Sequence, residues 1–141
     1  MLAEFIKHIA SDTGLSQKKA KAALGIVLNA AERQGAPFAD EVFERIPGAR
    51  TLAAEMGAEV GAATGVIARL IERTPGGRRN VTEQTIRDLQ RHGLGTREIG
   101  SLFPAISAFA QTMFGVAGVG HLGDLFGTFG AAPASGVRSV A

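Results

Sequence analysis

The sequence predicts an all-α fold, a compact bundle of six or seven short helices that opens with an αα-hairpin, and three observations carry that prediction. Apolar residues recur with the 3.6-residue period of a helix along most of the chain. Gly and Pro punctuate these stretches at helix-like lengths. β-Branched residues nowhere alternate with polar ones over a strand's length, and Tyr and Trp are absent.

Leu2, Phe5, Ile6 and Ile9 fall at i, i+3, i+4 and i+7, so the first dozen residues read as an amphipathic helix stopped at Gly14, where the chain can turn left-handed. Ser16 suits the N-cap of a second helix, whose stripe Ala20, Ala23, Leu24, Val27, Leu28 and Ala31 continues until Gly35 and Pro37 end it. A third helix is expected from Pro37 through Phe38 and Val42 to the Ile46-Pro47-Gly48 break, with Asp40, Glu41 and Glu44 on a solvated face and Arg45 paired to Glu41.

Leu52, Met56, Val60, Ile67, Leu70 and Ile71 then predict one or two helices reaching Arg73, and Thr74 to Arg79 predicts a loop. Asn80 or Thr82 is the expected cap of the next helix: Asn80 and Glu83 have capping-box spacing, and Val81 can staple onto Ile86. Gly93 ends that helix. Another starts near Thr96 and is expected to bend or restart at Pro104 before continuing through Ile106, Phe109 and Met113. The connections Thr13-Gly14-Leu15-Ser16 and His92-Gly93-Leu94-Gly95-Thr96 share a Gly stop, an expected buried Leu and a new cap. They read either as a duplicated hairpin or simply as the usual way of joining short helices.

From Gly115 to Gly130 the helical spacing persists in Val116, Val119, Leu122, Leu125, Phe126 and Phe129, but six glycines each cost about 1 kcal/mol in a helix interior. One helical domain over residues 1–130 is therefore expected, its segment 115–130 marginal, with a disordered tail over 131–141. A chain of 141 residues is long enough to bury roughly two thirds of its unfolded surface without staples.

The charge excludes little and the missing cysteines exclude much. With no Cys, disulfides, thiolate metal sites and cysteine nucleophiles are impossible. The net charge is +2, from 15 Lys and Arg against 13 Asp and Glu, but the excess is local. Arg69, Arg73, Arg78, Arg79, Arg87, Arg91 and Arg97 stand against Glu72, Glu83 and Asp88. The first six of these Arg are candidate anion-binding residues. An acid at Glu4 and no cationic run before an apolar one do not read as a secretory signal, so the expected location is the cytoplasm.

No motif supplies a site for chemistry. Gly118-Val119-Gly120-His121-Leu122-Gly123 matches the dinucleotide-binding glycine pattern, yet no strand precedes it and no acidic residue follows at ribose-binding distance. His8, His92 and His121 are scattered, and His121 with Asp124 would leave a metal underligated. No Ser sits in a nucleophile elbow. The expectation is therefore a non-enzyme with no cofactor, no metal and no small-molecule substrate.

Two features point to association. Gly57, Gly61 and Gly65, spaced by four, would lie on nearly one helix face and admit a close neighbour, within the chain or from another protomer. The 25 residues between Glu98 and Asp124 carry no Lys, Arg, Asp or Glu. Their Gly, Ser, Pro, Gln and Thr content argues against a membrane span and for a buried helix or an apolar contact surface. The candidate interface residues are Gly57, Gly61, Gly65, Phe109, Met113, Phe114, Leu122, Leu125, Phe126 and Phe129.

Two resemblances bear on these expectations. Phe5-Ile6-Lys7-His8-Ile9-Ala10, Thr13-Gly14-Leu15-Ser16-Gln17-Lys18-Lys19-Ala20 and Ala22-Ala23-Leu24 are similar to the opening hairpin of HU-type DNA-binding proteins. That family continues into a β-sheet with basic arms, whereas here Asp40 to Ile46 reads as an acidic helix. The resemblance therefore implies a hairpin that packs or dimerises. Gly14-Leu15-Ser16, Ile46-Pro47-Gly48-Ala49, Leu52, Leu94, Ile99-Gly100, Leu102-Phe103-Pro104-Ala105-Ile106 and Phe109 resemble the VcgC/VcgE-like bacterial proteins of unknown function, and more loosely the YidB-like helical proteins. This resemblance spans about Gly14 to Gly115 and implies an all-helical fold with no known activity.

The leading expectation is a non-enzymatic, self-associating interaction module, a homo-oligomer or the receiver of a protein partner. The alternatives are nucleic-acid association through the Arg-rich segment and peripheral membrane contact through Val116 to Phe129.

Overall fold

The computed structural model describes residues 1–34, 36–62 and 77–115, and for residues 77–80 and Phe114 the backbone alone. Among the described residues there are six helices and no strand: α1 (Leu2–Thr13), α2 (Gln17–Arg33), α3 (Pro37–Arg45), α4 (Ala49–Val60), α5 (Gly77–Arg91) and α6 (Thr96–Phe114).

The helix ends follow from local chemistry. Gly14 takes φ 78° and its N–H closes on the Ala10 carbonyl, ending α1. Ser16 caps α2 by accepting from the Lys19 N–H at 3.2 Å. Pro37 opens α3, where a missing N–H costs nothing. Gly48 and Gly93, at φ 89° and 91°, turn the chain between α3 and α4 and between α5 and α6. Leu94 is buried beside this second turn, whereas Leu15 is only partly buried beside the first.

The middle of the bundle is α2. Every residue from Ala23 to Arg33 is buried, the pattern of a helix covered on all sides, and α1, α3, α4 and α5 all pack on it. Small side chains at Ala20, Ala23, Ala30 and Ala31 allow this crowding. α1 and α6 run antiparallel beside it. Phe5 and Phe109 stack with ring centroids 4.2 Å apart, and one turn on, His8 Nε2 donates to the Ala105 carbonyl at 3.1 Å. Such an aromatic pair adds about 0.5–1.5 kcal/mol beyond its buried area.

Four expectations change. α6 does not restart at Pro104: the ring removes one backbone donor, but Leu102, Phe103 and Ile106 around it are buried and hold the helix in register, while Pro104 faces outward. The 74–79 loop gives way at its end, because α5 already begins at Gly77. Asn80 and Thr82 are thus inside α5, not at its start. The Thr82 hydroxyl instead accepts from Gln34 Nε2 at 2.8 Å, joining α5 to α2. Finally, α4 stops at Val60 with Gly61 left-handed at φ 73°, so Gly57 lies within the helix and Gly61 past its end, and the two do not share one helix face.

Candidate interaction groove

The site begins at a glycine the periodicity gave no reason to notice. Gly25 on α2 faces α4 so closely that a Cβ there would lie 3.0 Å from Leu52 Cγ and 3.1 Å from the Leu52 carbonyl oxygen, and would overlap Met56. The two helices run antiparallel, since Gly25 meets Leu52 and Met56 while Glu32, further along α2, pairs with Arg50 near the start of α4 at 3.6 Å. From the contact at Gly25 they open toward the start of α2 and the end of α4.

A hollow of about 590 Å³ fills that opening. One wall is α2, with Ser16, Lys18, Lys19, Lys21 and Ala22; the other is α4, with Leu52, Glu55, Met56 and Glu59; His92 stands at the edge. Ala22, Leu52 and Met56 give it an apolar floor, since Leu52 and Met56 are mostly covered by α2 and Ala22 is half-buried. His92 Nε2 lies 3.4 Å from Glu59 Oε1, and Lys19 lays its ammonium over Gly93, where an added Cβ would sit 3.0 Å from Nζ. A second, shallower hollow of about 320 Å³, between Ala3, Ile6 and Gln17, shares Lys18 and Lys21 with the first. These two lysines form a basic ridge between two apolar depressions.

The charges of this groove sit at the wrong ends of their helices. A helix N-terminus carries partial positive charge and a C-terminus partial negative charge, so lysines disfavour the first and glutamates the second. Yet Lys18 and Lys19 lie in the first turn of α2, with Lys21 just beyond it, and no acid offsets them, while Glu59 lies in the last turn of α4, with Glu55 a turn before it, and no base offsets it. Among the described residues, Lys18, Lys19, Lys21 and Glu55 form no ion pair, and all four are exposed. A positive wall therefore faces a negative wall across an apolar floor, and the gap between them is open.

A denser polar cluster lies inside the bundle, at the far end of α2. Arg33 Nε donates to Asn29 Oδ1 at 2.9 Å, Gln84 Nε2 donates to Asp88 Oδ1 at 3.0 Å, and the Thr85 hydroxyl bonds back to the Val81 carbonyl at 2.6 Å. Burial pushes the Arg33 guanidinium below its ordinary pKa, and the charge of Asp88 pulls it back up. Arg33 Nη2 and Asp88 Oδ2 make no hydrogen bond of their own. This cluster ties α2 to α5. The sequence disguises it, because Asn29, Arg33 and Gln34 near a helix end read as solvated.

The residues marked from sequence are dispersed. Gly57 is buried within α4; Gly61 is exposed, and an added Cβ there would touch nothing within 4 Å. Phe109 is 9% exposed and belongs to the core, whereas Met113, one turn further on, is 46% exposed. Gly65, Leu122, Leu125, Phe126, Phe129, Arg69 and Arg73 lie outside the described residues, as do Ile67, Leu70 and Ile71 of the one or two helices expected to reach Arg73, the segment 116–130 and the tail 131–141. Of Phe114, Arg78 and Arg79 only the helical backbone is described. Arg87 and Arg91 are exposed one turn apart on α5, Arg87 reaching Gln84 and Arg91 standing 3.5 Å from Asp88.

The described residues contain no group of three His, Asp or Glu that could hold a metal ion. No helix among them is long and apolar enough to cross a membrane. No protein-family model, no curated protein and no solved structure matches the chain. The resemblances to the HU-type and VcgC/VcgE-like proteins thus rest on the quoted residues alone.

The groove residues went unmarked in the sequence, but a signal for them was present. Gln17-Lys18-Lys19-Ala20-Lys21 breaks the charge rule for a helix start. Such local violations without local compensation are where function is to be sought.

Proposed function

We propose that this protein is a non-enzymatic, self-associating interaction module of the cytoplasm, and that the α2–α4 groove is its docking face. The observation that carries this reading is the pairing of an apolar floor with two rims of opposite charge, in which only Glu59 has an ion-pair partner, His92. Apolar area supplies the affinity of an interface, and rim charges set orientation and partner choice. A catalytic site would instead need converging titratable groups within hydrogen-bond reach of one another and of a substrate. The groove brings together only His92 and Glu59, at its edge.

Sedimentation velocity of the full chain over a range of concentrations tests the reading, alongside Ala22→Arg, which fills the groove from a helical position that tolerates a long side chain. Concentration-dependent association that Ala22→Arg weakens while circular dichroism stays unchanged supports it. A wild-type chain that remains a monomer at all concentrations rejects it.

A second reading, nucleic-acid association, is favoured by the exposure of Arg87 and Arg91 on one face of α5. Glu83, one turn earlier on that face, counts against it. An unchanged mobility of duplex DNA with the protein at low salt removes this reading, since phosphate contacts are strongest there.

A further inference from the structure

We infer that the occupant of the groove is a second copy of this chain, related by a twofold axis that runs parallel to the groove, so that Lys18, Lys19 and Lys21 of one protomer lie over Glu55 and Glu59 of the other. This rests on the self-association reading above and specifies its geometry.

Charge complementarity selects the arrangement. Two copies meeting face to face can be related by an axis along the groove or by one across it, both lying in the plane of contact. The axis across the groove sets α2 on α2 and brings lysines toward lysines. The axis along it sets α2 of each copy on α4 of the other, twice over, as an isologous contact requires. Helix direction agrees: α2 and α4 are antiparallel within one chain, so after this rotation the α2 of one copy is also antiparallel to the α4 it covers. The lysine end then meets the glutamate end.

The same arrangement accounts for charges that are costly in the isolated chain. The start of α2 disfavours Lys18 and Lys19 in its first turn, and the end of α4 disfavours Glu59 in its last. Within one protomer the open groove separates the two rims, and only Glu59 has a partner, His92. In the twofold dimer each rim meets its complement over a floor of Ala22, Leu52 and Met56 from both sides. The second hollow, on the other side of Lys18 and Lys21, extends the face beyond the groove.

The test exchanges the rims within one chain. A swapped protein carrying Lys18→Glu, Lys19→Glu, Lys21→Glu, Glu55→Lys and Glu59→Lys exchanges the two rims and puts charges of favourable sign at positions 18, 19 and 59, which lie in the terminal turns. All five positions are exposed, so the fold is not at risk, and circular dichroism verifies it. The swapped chain is expected to self-associate as the wild type does but to be excluded from mixed dimers with it, as read by native mass spectrometry of an isotopically labelled mixture. The chain carrying the three lysine reversals alone is expected to dimerise about tenfold more weakly, or worse. Free mixing of swapped and wild-type chains, or dimerisation indifferent to the lysine reversals, overturns the twofold arrangement while leaving self-association standing. A wild-type monomer overturns both.

Discussion

Gly25 of α2 and Leu52 of α4 pack so closely that a methyl group on the glycine would lie 3.0 Å from Leu52 Cγ and 3.1 Å from its carbonyl oxygen. The backbone oxygen cannot move aside as a side-chain tip can. Gly25→Ala gains about 1 kcal/mol of helix propensity but forces α2 and α4 apart at an overpacking cost of about 1–3 kcal/mol. A net loss of about 1 kcal/mol is expected in urea unfolding. An alanine variant more stable than the wild type would show that the contact yields.

Asp88 is fully buried and Arg33 is 5% exposed, so neither charge has much water to fall back on. Asp88→Asn removes the charge that raises the Arg33 pKa and that lies 3.5 Å from Arg91, and is expected to cost about 1–3 kcal/mol. Arg33→Met with Asp88→Leu, which removes both charges, is expected to cost less than Asp88→Asn alone. Equal losses in the two variants would mean that the charges do not interact.

Glu98, in the first turn of α6, bends back to accept from the Gly95 N–H at 2.9 Å. Hydrogen bonds from its own backbone N–H and from that of Gly95 hold its carboxyl below the ordinary carboxylate range. A pKa depressed by folding contributes stability that is complete above the unfolded Glu value, about 4.3, and lost as pH falls through the lower folded value. The cap should therefore persist at mild acidity and fail in stronger acid. Glu98→Gln is expected to flatten that part of the stability profile, and an unaltered acid limb in thermal melts would contradict the assignment.

Phe109 is occupied in the core, stacked on Phe5 and tilted against His8 with ring centroids 5.6 Å apart. Phe109→Ala is expected to cost about 3 kcal/mol in unfolding free energy. Where the fold survives, the variant should associate as the wild type does, because the ring does not line the groove. Loss of association in a variant with native circular dichroism would return Phe109 to the interface.

Much of the fold was legible because it is local. The stripe Leu2, Phe5, Ile6 and Ile9, the stop at Gly14 and the cap at Ser16 each depend on residues within a turn or two of one another. At Pro104 the local cost is real, yet the helix runs on without a restart, with Leu102 and Ile106 on either side buried in the bundle. Thr82, a good cap by residue type, is used by Gln34, 48 residues away in sequence.

The sequence by itself determined the helical class, most of the helix ends and the absence of cysteine chemistry, since periodicity, capping and composition act over a few residues. Tertiary structure alone decided which glycine admits a close neighbour, which polar residues are buried, and that three lysines and two glutamates face one another across a groove. Those depend on how antiparallel helices cross in space, and spacing along the chain does not encode the crossing.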